Sequence, residues 1–529
     1  MVAASELNYN TTASATQMAQ TIFGDSVDIK AASYSGSWYA SAVYSGGDST
    51  APGVTPGDTG VILSTGPASW FTNSNGSANQ SSSTSYNTGG PNNDSDFNAV
   101  AGTSTYDASF LEVDFVPEGD TMTMQFVFAS DEYPEYSNSV YNDMVGVWVN
   151  GQHVPLSVTN TATSVGEVNQ SDNQNLFTDN TDSAYNTEMD GFTVTMALTM
   201  PVNAGEVNSI KVGVADVTDS AYDSSLLIAG GSVQTDLVAQ DDSITLQEGT
   251  TKTVDLLAND DNATGGSLAV THINGVSVSA GDSVALATGQ VVTLNTDGTI
   301  DLETGTDNDT VSFTYQAEAT DGSGTVLETD TGFVTAETIP CFVAGTMIAT
   351  PEGPKAIETL VVGDLVLTQD GAPQPIRWIG RRSVAAIGSM APIAFRPGAL
   401  GDHGALMLSP QHRVLLRDAY AELMFEAPEV LVKAKDLVND GSIRRVEGGL
   451  VTYLHLLFDS HQIIWAEGLA TESFLPGPHI LSQAETGIAR ELTTLFPDLA
   501  VSAPGPGYGP AARPILNTRE ASVLLRQVA

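Results

Sequence analysis

The sequence predicts a mainly β protein, with two N-terminal β-sandwich domains, a third all-β domain and a short, partly helical tail. Short alternating apolar runs recur between Gly, Asn, Asp and Pro turn signals, which is typical of half-buried strands. The chain has 529 residues, enough for three or four domains. We predict boundaries at 1–234, 235–338, 341–478 and 479–529.

Charge is distributed unevenly along the chain. The formal net charge is −45, and residues 1–340 contain 44 of the 63 Asp and Glu residues but only three of the 18 Lys and Arg residues. Such an acidic surface repels nucleic acid and anionic membranes, so we expect no nucleic-acid partner. Carboxylates also suit Ca²⁺, although most of them are expected to be solvated surface groups.

Composition also bears on export. The single cysteine excludes an intramolecular disulfide, and no apolar run is long enough to span a bilayer. The stretch from Met1 to Asn10 has neither the basic nor the apolar region of a cleaved signal peptide. If the protein leaves the cell, we expect leaderless export.

Residues 1–234 are rich in Ser, Thr, Asn and Gly. Helical spacing is confined to about Ala13 to Phe23, and residues 71–106 are interpreted as long surface loops or partly disordered segments. These features predict an antiparallel β-sandwich or jelly roll. The predicted strands are Leu111 to Phe115, Met122 to Phe128, Val145 to Val149, Phe192 to Met196 and Ile210 to Val214.

Several phrases in this segment resemble the choice-of-anchor L family of bacterial surface domains. They include Phe128-Ala129-Ser130-Asp131-Glu132-Tyr133 and Val214-Ala215-Asp216-Val217-Thr218-Asp219. The resemblance implies an extracellular or cell-surface module with a cell-surface or matrix partner, and no enzymatic activity of its own.

Two acidic clusters lie in the same segment. Asp216, Asp219 and Asp223 follow a predicted strand and are candidate Ca²⁺ ligands, while loop capping by Asx turns is the alternative. Nothing places two carboxylates across a cleft, as glycoside hydrolysis would require. Loop capping is favoured for the other cluster, which consists of Asp131, Glu132, Glu135, Asn142 and Asp143.

Residues 235–338 show a strand–turn rhythm with signals such as Asn274-Gly275 and Asp297-Gly298. This predicts an immunoglobulin-like or cadherin-like sandwich, and Leu257-Ala258-Asn259-Asp260-Asp261 resembles the cadherin-like repeats of bacterial secreted proteins. We interpret it as a spacer. Asp241, Asp260 and Asp261 are further candidate Ca²⁺ ligands.

The composition changes at Cys341, which follows Pro340. Cys341-Phe342, Gly363-Asp364-Leu365-Val366, Ser409-Pro410-Gln411-His412 and the stretch from Tyr453 to Leu469 resemble, in order, the blocks of a Hint domain. This fold is shared by hedgehog C-terminal domains and inteins, and the variant resembles the type found in large secreted bacterial proteins. The resemblance implies an autoprocessing domain over 341–478.

The chemistry follows from the residues. The Cys341 thiol attacks the carbonyl of Pro340 and converts the Pro340–Cys341 amide into a thioester, an N-to-S acyl shift. The thiolate needs a base or positive charge nearby. His412 is the candidate proton donor to the departing amine, and Ser409 is expected to bind the scissile backbone or orient His412.

Other residues have less specific roles. His461 is predicted to assist the second step, Asp459 either activates an attacking nucleophile or belongs to a turn, and His455 is expected to face solvent. The spacing of these histidines and Cys341 fits no standard zinc site, and no cofactor is expected for processing.

The fate of the thioester decides the function. The stretch from Ala470 to Ser473 lacks the asparagine that splicing requires, so the N-terminal segment is expected to be cleaved off by water or transferred to an external amine or alcohol. A Ca²⁺-stabilised adhesin or matrix protein with an inactive Hint module is the alternative. A processed toxin ranks last, because the tail is too short for most folded toxins.

The tail has two predicted helices, one from Ser482 with a capping-box pattern and one from Glu520 to Val528. The sequence leaves two roles open for the tail: packing on the third domain, or acting as an uncleaved export signal.

Overall fold

The computed structural model describes residues 2–137, 139–158, 162–246, 251–303, 310–338, 341–387, 391–425, 427–475, 511–516 and 518–528. They form two compact units. The first contains the first N-terminal domain and most of the second, and the second contains the other described residues of the second domain, the C-terminal β domain and the described part of the tail. Within these ranges, no helix has the length and apolar character needed to cross a membrane.

The first domain is built almost wholly of strands. Its helices are α1 (Ala15–Ile22), α2 (Gly47–Thr50) and α3 (Ser95–Ala101), with 3-10 turns at Ala68–Trp70 and Gln174–Leu176. Its strands are β1 (Asn8–Asn10), β2 (Val27–Ser35), β3 (Ser41–Ser45), β4 (Thr59–Ser64), β5 (Thr105–Pro117), β6 (Thr121–Ser130), β7 (Met144–Val149), β8 (Gln152–His153), β9 (Thr163–Ser164), β10 (Phe177–Asp179), β11 (Gly191–Thr193), β12 (Met196–Pro201), β13 (Asn208–Val217) and β14 (Ser224–Ala229).

Two antiparallel sheets enclose the core of this domain. One has the order β1-β3-β4-β14-β6-β11-β10, with β12 also paired to β6, and the other has the order β2-β5-β13-β7-β8, with β9 paired to β7. Their inward side chains, such as Phe126 and Leu226 from one sheet and Val113 and Val212 from the other, share one buried apolar cluster. The predicted mainly β sandwich is therefore confirmed.

Two local predictions are settled by this architecture. α1 lies inside the predicted helical stretch, and it begins where Ser14 and Gln17 form a reciprocal capping box. The prediction that residues 71–106 are loops throughout is wrong in its last part. Residues Ser95–Ala101 form α3, whose N-cap is Asp94 and whose Phe97 is buried, because one apolar ring in a polar segment gives too weak a helical period to detect.

The second domain also pairs two antiparallel sheets, with the orders β16-β25-β24-β19-β20 and β17-β23-β22-β21, beside a small pair of β15 and β18. The strands are β15 (Leu237–Val238), β16 (Asp242–Leu246), β17 (Thr251–Val254), β18 (Asp261–Asn262), β19 (Ser267–Ile273), β20 (Val276–Ser277), β21 (Ser283–Ala285), β22 (Val291–Leu294), β23 (Ile300–Glu303), β24 (Thr310–Thr320) and β25 (Val326–Thr338).

Buried polar contacts join the second domain to the first. Asp330 of β25 accepts hydrogen bonds from Thr123 Oγ1 at 3.0 Å and from the Ala239 amide at 2.8 Å. Gln125 donates to the Thr329 carbonyl at 2.9 Å. On another edge, the Asn175 side chain donates to the Ser312 carbonyl at 3.1 Å. The bonds of Asp330 to Thr123, of Gln125 to Thr329 and of Asn175 to Ser312 join residues of different domains within one compact unit, whereas the bond of Ala239 to Asp330 lies within the second domain.

The third domain has two further antiparallel sheets, β31-β37-β26-β33-β32-β36 and β28-β27-β38-β39-β34-β35, with a small pair of β29 and β30. It contains α4 (Ala419–Phe425) and 3-10 turns at Ile357–Thr359 and Ala434–Leu437. The strands are β26 (Phe342–Val343), β27 (Met347–Ile348), β28 (Lys355–Ala356), β29 (Leu365–Val366), β30 (Gln374–Pro375), β31 (Trp378–Ala385), β32 (Ile393–Phe395), β33 (Leu406–Leu408), β34 (Arg413–Arg417), β35 (Glu429–Lys433), β36 (Ile443–Arg445), β37 (Leu450–Leu457), β38 (Ile463–Ala466) and β39 (Leu469–Glu472).

The described part of the tail packs on the third domain. Ile515 forms a parallel bridge with Leu431 of β35, and the predicted last helix is present as α5 (Thr518–Val528). Leu516 and Leu524 are buried in the main apolar cluster of the domain. The other predicted helix, from Ser482, lies outside the described residues.

Because Leu524 is fully buried, we expect Leu524→Ala to weaken tail docking by about 2–5 kcal/mol. The measurement is hydrogen exchange of the intact protein followed by mass spectrometry. Peptides that contain Leu431 and Leu516, which are hydrogen-bonded to each other, should exchange faster. The matched control is Leu423→Ala, because Leu423 is 77% exposed. Equal exchange in the two variants would contradict tail packing.

Candidate active site

Cys341 stands at the head of a short strand in the middle of a sheet. β26 lies between β33 and β37, and its Phe342 is paired with Leu408 on one side and Leu454 on the other. Since both pairings are antiparallel, the residue after each partner lies beside Cys341. The thiol-bearing residue is thus flanked by two residues that are far away in the sequence.

The first flanking residue is Ser409. The Cys341 amide nitrogen donates to Ser409 Oγ at 2.8 Å, and the Ser409 amide donates to the Cys341 carbonyl at 2.9 Å. Cys341 is only 7% exposed. The serine hydroxyl therefore contacts the nitrogen atom that would leave if the peptide bond before Cys341 were broken.

The second flanking residue is His455, which the sequence placed in solvent. That expectation is wrong, since His455 Nε2 lies 3.5 Å from Cys341 Sγ. The imidazole packs with two aromatic rings that also contact each other, with Trp378 at 6.3 Å and nearly parallel, and Phe474 at 5.5 Å. The register of β37 also puts the buried side chain of Tyr453 near Cys341 in one small apolar cluster.

Gly380 makes room for this imidazole. It is the cross-strand partner of His455, and a Cβ atom there would lie 3.0 Å from His455 Cδ2 and still closer to the Trp378 ring. A larger residue would therefore displace the histidine from the thiol.

His412 is buried deeply next to the same strand. It is 1% exposed, and its ring centroid lies 4.2 Å from that of Phe342. Burial lowers the pKa of His412 to about 4, so the imidazole is neutral near pH 7. Within the described part of the chain, neither ring nitrogen has a hydrogen-bond partner.

A buried charge network lies beyond His412. Glu472 is fully buried and accepts hydrogen bonds from the Arg413 amide and from Arg413 Nη1, both at 2.9 Å, while His461 Nε2 lies at 3.4 Å. Burial alone would raise the pKa of Glu472, but Arg413 and His461 outweigh it and hold this pKa at about 2. Glu472 is consequently a fixed negative charge.

His461 is held by this network and by the tail. Its Nδ1 accepts a hydrogen bond from the Ala512 amide at 2.9 Å, so the ring proton of the neutral form is on Nε2. That nitrogen lies 3.2 Å from the Ser473 carbonyl and 3.4 Å from Glu472. Both ring nitrogens are therefore engaged, and a role of His461 in a second step remains a prediction.

Asp459 lies at the surface in a two-pronged ion pair. Arg377 Nε and Nη2 donate to its two carboxylate oxygens at 2.8 and 2.7 Å, and its side chain is about half exposed. The turn role of Asp459 and its activation of a nucleophile both remain predictions. Pro340, on the other side of the predicted scissile bond, lies outside the described residues.

The predicted Ca²⁺ ligands of the first domain are not assembled as expected. Asp216 is buried, Asp219 accepts a bond from the Ala221 amide within its own turn, and Asp223 accepts one from the Tyr86 amide. Across the described ranges, no group of three or more His, Cys, Asp or Glu side chains is arranged to hold a metal ion.

Sequence reasoning missed two residues of this site, His455 and Glu472. The alternation of Leu454-His455-Leu456 was the available signal for His455, because it places the imidazole on the face of β37 opposite two core leucines. Glu472 ends a strand of small and apolar residues, and only the tertiary pairing with Arg413 shows its role.

Comparison with known families identifies all three β domains. Residues 340–478 match the Hint domain, residues 6–234 match the choice-of-anchor L domain, and residues 234–337 match the bacterial Ig domain. Comparison with curated proteins gives no match. The choice-of-anchor L match indicates a secreted or surface-anchored protein. The chain is therefore a Hint-domain protein in which a choice-of-anchor L domain and a bacterial Ig domain precede the Hint domain.

Proposed function

We propose that the Hint domain breaks its own chain at the Pro340–Cys341 bond, using Cys341 as the nucleophile. The observation that carries this proposal is the pair of contacts at Cys341, with the Ser409 hydroxyl on its amide nitrogen and the His455 imidazole beside its thiol. A nucleophile within reach of a base is the arrangement that covalent catalysis needs.

In the first step, His455 Nε2 takes the proton of the Cys341 thiol, and the thiolate attacks the carbonyl carbon of Pro340. A C–S bond forms and the carbonyl becomes an oxyanion. When that intermediate collapses, the C–N bond breaks and the electron pair goes to the Cys341 nitrogen. The products of this step are a thioester on Pro340 and a free amine on Cys341.

The departing nitrogen needs a proton, and Ser409 Oγ is already in contact with it. We propose that the serine hydroxyl delivers a proton to the Cys341 nitrogen. Ser409 then regains a proton that passes from the His455 imidazolium within the active site, so that Ser409 and His455 both return to their neutral forms. Proton delivery in the transition state by a positioned group is typically worth about 10²–10⁴ in rate.

The burial of His412 changes the role that its sequence motif suggested. A group with a pKa of about 4 is a poor proton store near pH 7, because its charged form is scarcely populated. A neutral imidazole still offers one N–H donor and one acceptor. We propose that His412 donates its N–H to the oxyanion that develops on Pro340, where fixed donors are most effective.

Glu472 acts on this site only through its neighbours. Its carboxylate binds the amide and the guanidinium of Arg413, the residue after His412. We therefore propose that Glu472 is a positioning residue, which fixes the backbone that carries His412.

The second step is attack on the thioester. Water gives a carboxylic acid on Pro340 and restores the Cys341 thiol, which is cleavage. An external amine or alcohol gives an amide or ester and the same thiol, which is transfer of the acidic N-terminal part. The stretch from Ala470 to Ser473 contains no asparagine, so splicing is not proposed.

Cys341→Ala is expected to abolish cleavage, because alanine has no nucleophile. The measurement is mass spectrometry of the purified full chain over time, with and without hydroxylamine. The wild-type chain should give fragments that end at Pro340 and begin at Cys341, and hydroxylamine should place a hydroxamate on Pro340. An uncut wild-type chain under both conditions would sink the proposal.

His455→Gln is expected to slow thioester formation by about 10²–10⁴, the usual share of a general base. The difference in rate between the variant and the wild type should narrow above about pH 8.5, where a thiol ionises without a base. The rates of fragment formation between pH 6 and 9 test this. His403→Gln is the matched control, because His403 is a buried histidine of the same domain that binds the backbone of its own loop. Equal loss in both variants would assign His455 a structural role only.

Glu472 is expected to make the third domain sensitive to acid. Its pKa is about 2 in the folded chain and about 4.3 when unfolded, so its contribution is present above about pH 4.3 and is lost as the pH falls towards 2. Urea unfolding, followed by tryptophan fluorescence at several pH values, should show a loss of about 3 kcal/mol.

Two variants complete the acid test. Glu472→Gln should be less stable at pH 6 and should lack this part of the pH dependence. Glu422→Gln is the control, because Glu422 is exposed and should behave as the wild type. If the free energy of unfolding of Glu472→Gln depends on pH as steeply as that of the wild type, another group is responsible for the acid sensitivity.

A further inference from the structure

The choice-of-anchor L domain buries acidic side chains without basic partners. Residues 1–234 contain two lysines and no arginine. Lys30 is paired with Asp28, and Lys211 with Asp94 and Asp96. The acidic side chains that are at most 3% exposed in the described residues of this domain are Asp107, Asp131, Glu132, Asp143, Asp190, Asp216 and Asp223.

An ionised carboxylate in such a place is very costly unless a cation or strong donors compensate it. Backbone amides do so for Asp107, which accepts bonds from the Thr88 and Gly90 amides at 3.2 and 3.0 Å. Other carboxylates of the set accept fewer hydrogen bonds, so a bound cation would be needed to compensate their charge.

Asp131 and Asp190 form a pair in which each side chain has one uncompensated oxygen. Ser130 at the end of β6 is paired with Gly191 at the start of β11, so Asp131 and Asp190 are neighbours across the sheet. The Asp190 amide donates to Asp131 Oδ1 at 3.2 Å. Each residue is 1% exposed, and within the described ranges the Oδ2 atoms of both have no hydrogen-bond partner.

Protonation alone does not fully compensate the buried charge of these two carboxylates. Burial and the charge of Asp190 raise the pKa of Asp131 well above its usual range, and burial raises that of Asp190 to about 6. A proton shared between the two Oδ2 atoms would neutralise only one of the two carboxylates. A cation between the two oxygens would instead neutralise both carboxylates.

The pair lies under the loop of residues 71–94, and the loop is held largely by carboxylates. The Asn79 amide donates to Asp190 Oδ1 at 2.6 Å, and the Tyr86 amide nitrogen donates to Asp223 Oδ1 at 2.7 Å. The Gln80 amide nitrogen donates to Glu188 at 2.8 Å. The Asn79 contact therefore brings this Ser- and Asn-rich loop, whose side chains and main chain offer further oxygens, up to the pair.

We propose that Asp131 and Asp190 are the carboxylate ligands of a calcium site that fastens the loop of residues 71–94 to the sandwich. Ca²⁺ takes six to eight oxygen ligands in flexible geometry, including amide, backbone and water oxygens. Two carboxylates completed by oxygens of the loop and by water would satisfy this need. Mg²⁺ fits less well, because it keeps several waters and demands a regular octahedron.

This site differs from the one that the sequence suggested. Asp219 is used by its own turn, and Asp223 binds the loop backbone directly. Asp216 Oδ1 lacks a hydrogen bond within the described residues, but Asp131, which the sequence assigned to loop capping, and its neighbour Asp190 both have such an oxygen.

The test uses the full chain after treatment with a chelator. Terbium is the probe for Ca²⁺, since it binds at oxygen sites and is excited by nearby aromatic residues such as Trp70 and Tyr86. We expect terbium luminescence that Ca²⁺ competes away, and at least tenfold slower proteolysis within residues 71–94 when Ca²⁺ is added. The double variant Asp131→Asn/Asp190→Asn should lose both effects.

Two controls keep the outcome interpretable. Asp120→Asn/Asp182→Asn removes the same charge from exposed positions and should behave as the wild type. The single variant Asp190→Asn should weaken Ca²⁺ competition at least tenfold if the double variant does not fold. Absence of a Ca²⁺-sensitive signal in the wild type, or loop protection that is the same in chelator and in Ca²⁺, would overturn the proposal in favour of a proton shared by the pair.

Discussion

The antiparallel pairing of β26 with β33 and β37 is the constraint on which the candidate active site depends. It places Ser409 and His455 on either side of Cys341 through backbone register alone. A slip of one residue in either pairing would turn the flanking side chain to the opposite face of the sheet. Strands position reacting groups more exactly than loops do, and here the nucleophile, the hydroxyl and the imidazole all adjoin strands of one sheet.

The two compact units compensate buried carboxylates in opposite ways. Glu472 in the Hint domain is bound by a guanidinium, a backbone amide and an imidazole, so its charge is satisfied by the chain itself. Asp131 and Asp190 in the choice-of-anchor L domain have no cationic partner among the described residues, and the Oδ2 atom of each lacks a hydrogen bond. The first arrangement fixes a neighbouring backbone, whereas the second leaves a place for a positive charge from outside. The lack of arginine before residue 341 is thus a structural property as well as a surface one.

Much of the fold could be predicted, because alternation of apolar residues and turn signals are local properties. Four of the predicted strands lie within β5, β6, β7 and β13. The N-terminal cap of α1 is formed by two residues within a stretch of four, Ser14 and Gln17. The stretch from Phe192 to Met196 was less well predicted, since it is divided between β11 and β12. A change of strand inside an apolar run leaves no local signal.

The site was predictable to the extent that its residues lie in short motifs. Cys341, Ser409 and His412 could be named because their spacing is recognisable in the sequence. His455 and Glu472 act through cross-strand neighbours, Cys341 for one and Arg413 for the other, and such pairings are set by the tertiary fold. The burial of Asp131 could not be predicted for the same reason, because a carboxylate in a turn looks identical in the sequence whether or not a loop covers it.

The hydrogen bond between Ala512 and His461 has a consequence for the timing of maturation. The two residues are 51 positions apart, and the amide donor is made after its acceptor during synthesis. The imidazole of His461 cannot gain this partner, and β35 cannot gain its bridge to Ile515, until those further residues have left the ribosome. The Hint domain therefore completes its packing only after the two N-terminal domains have left the ribosome.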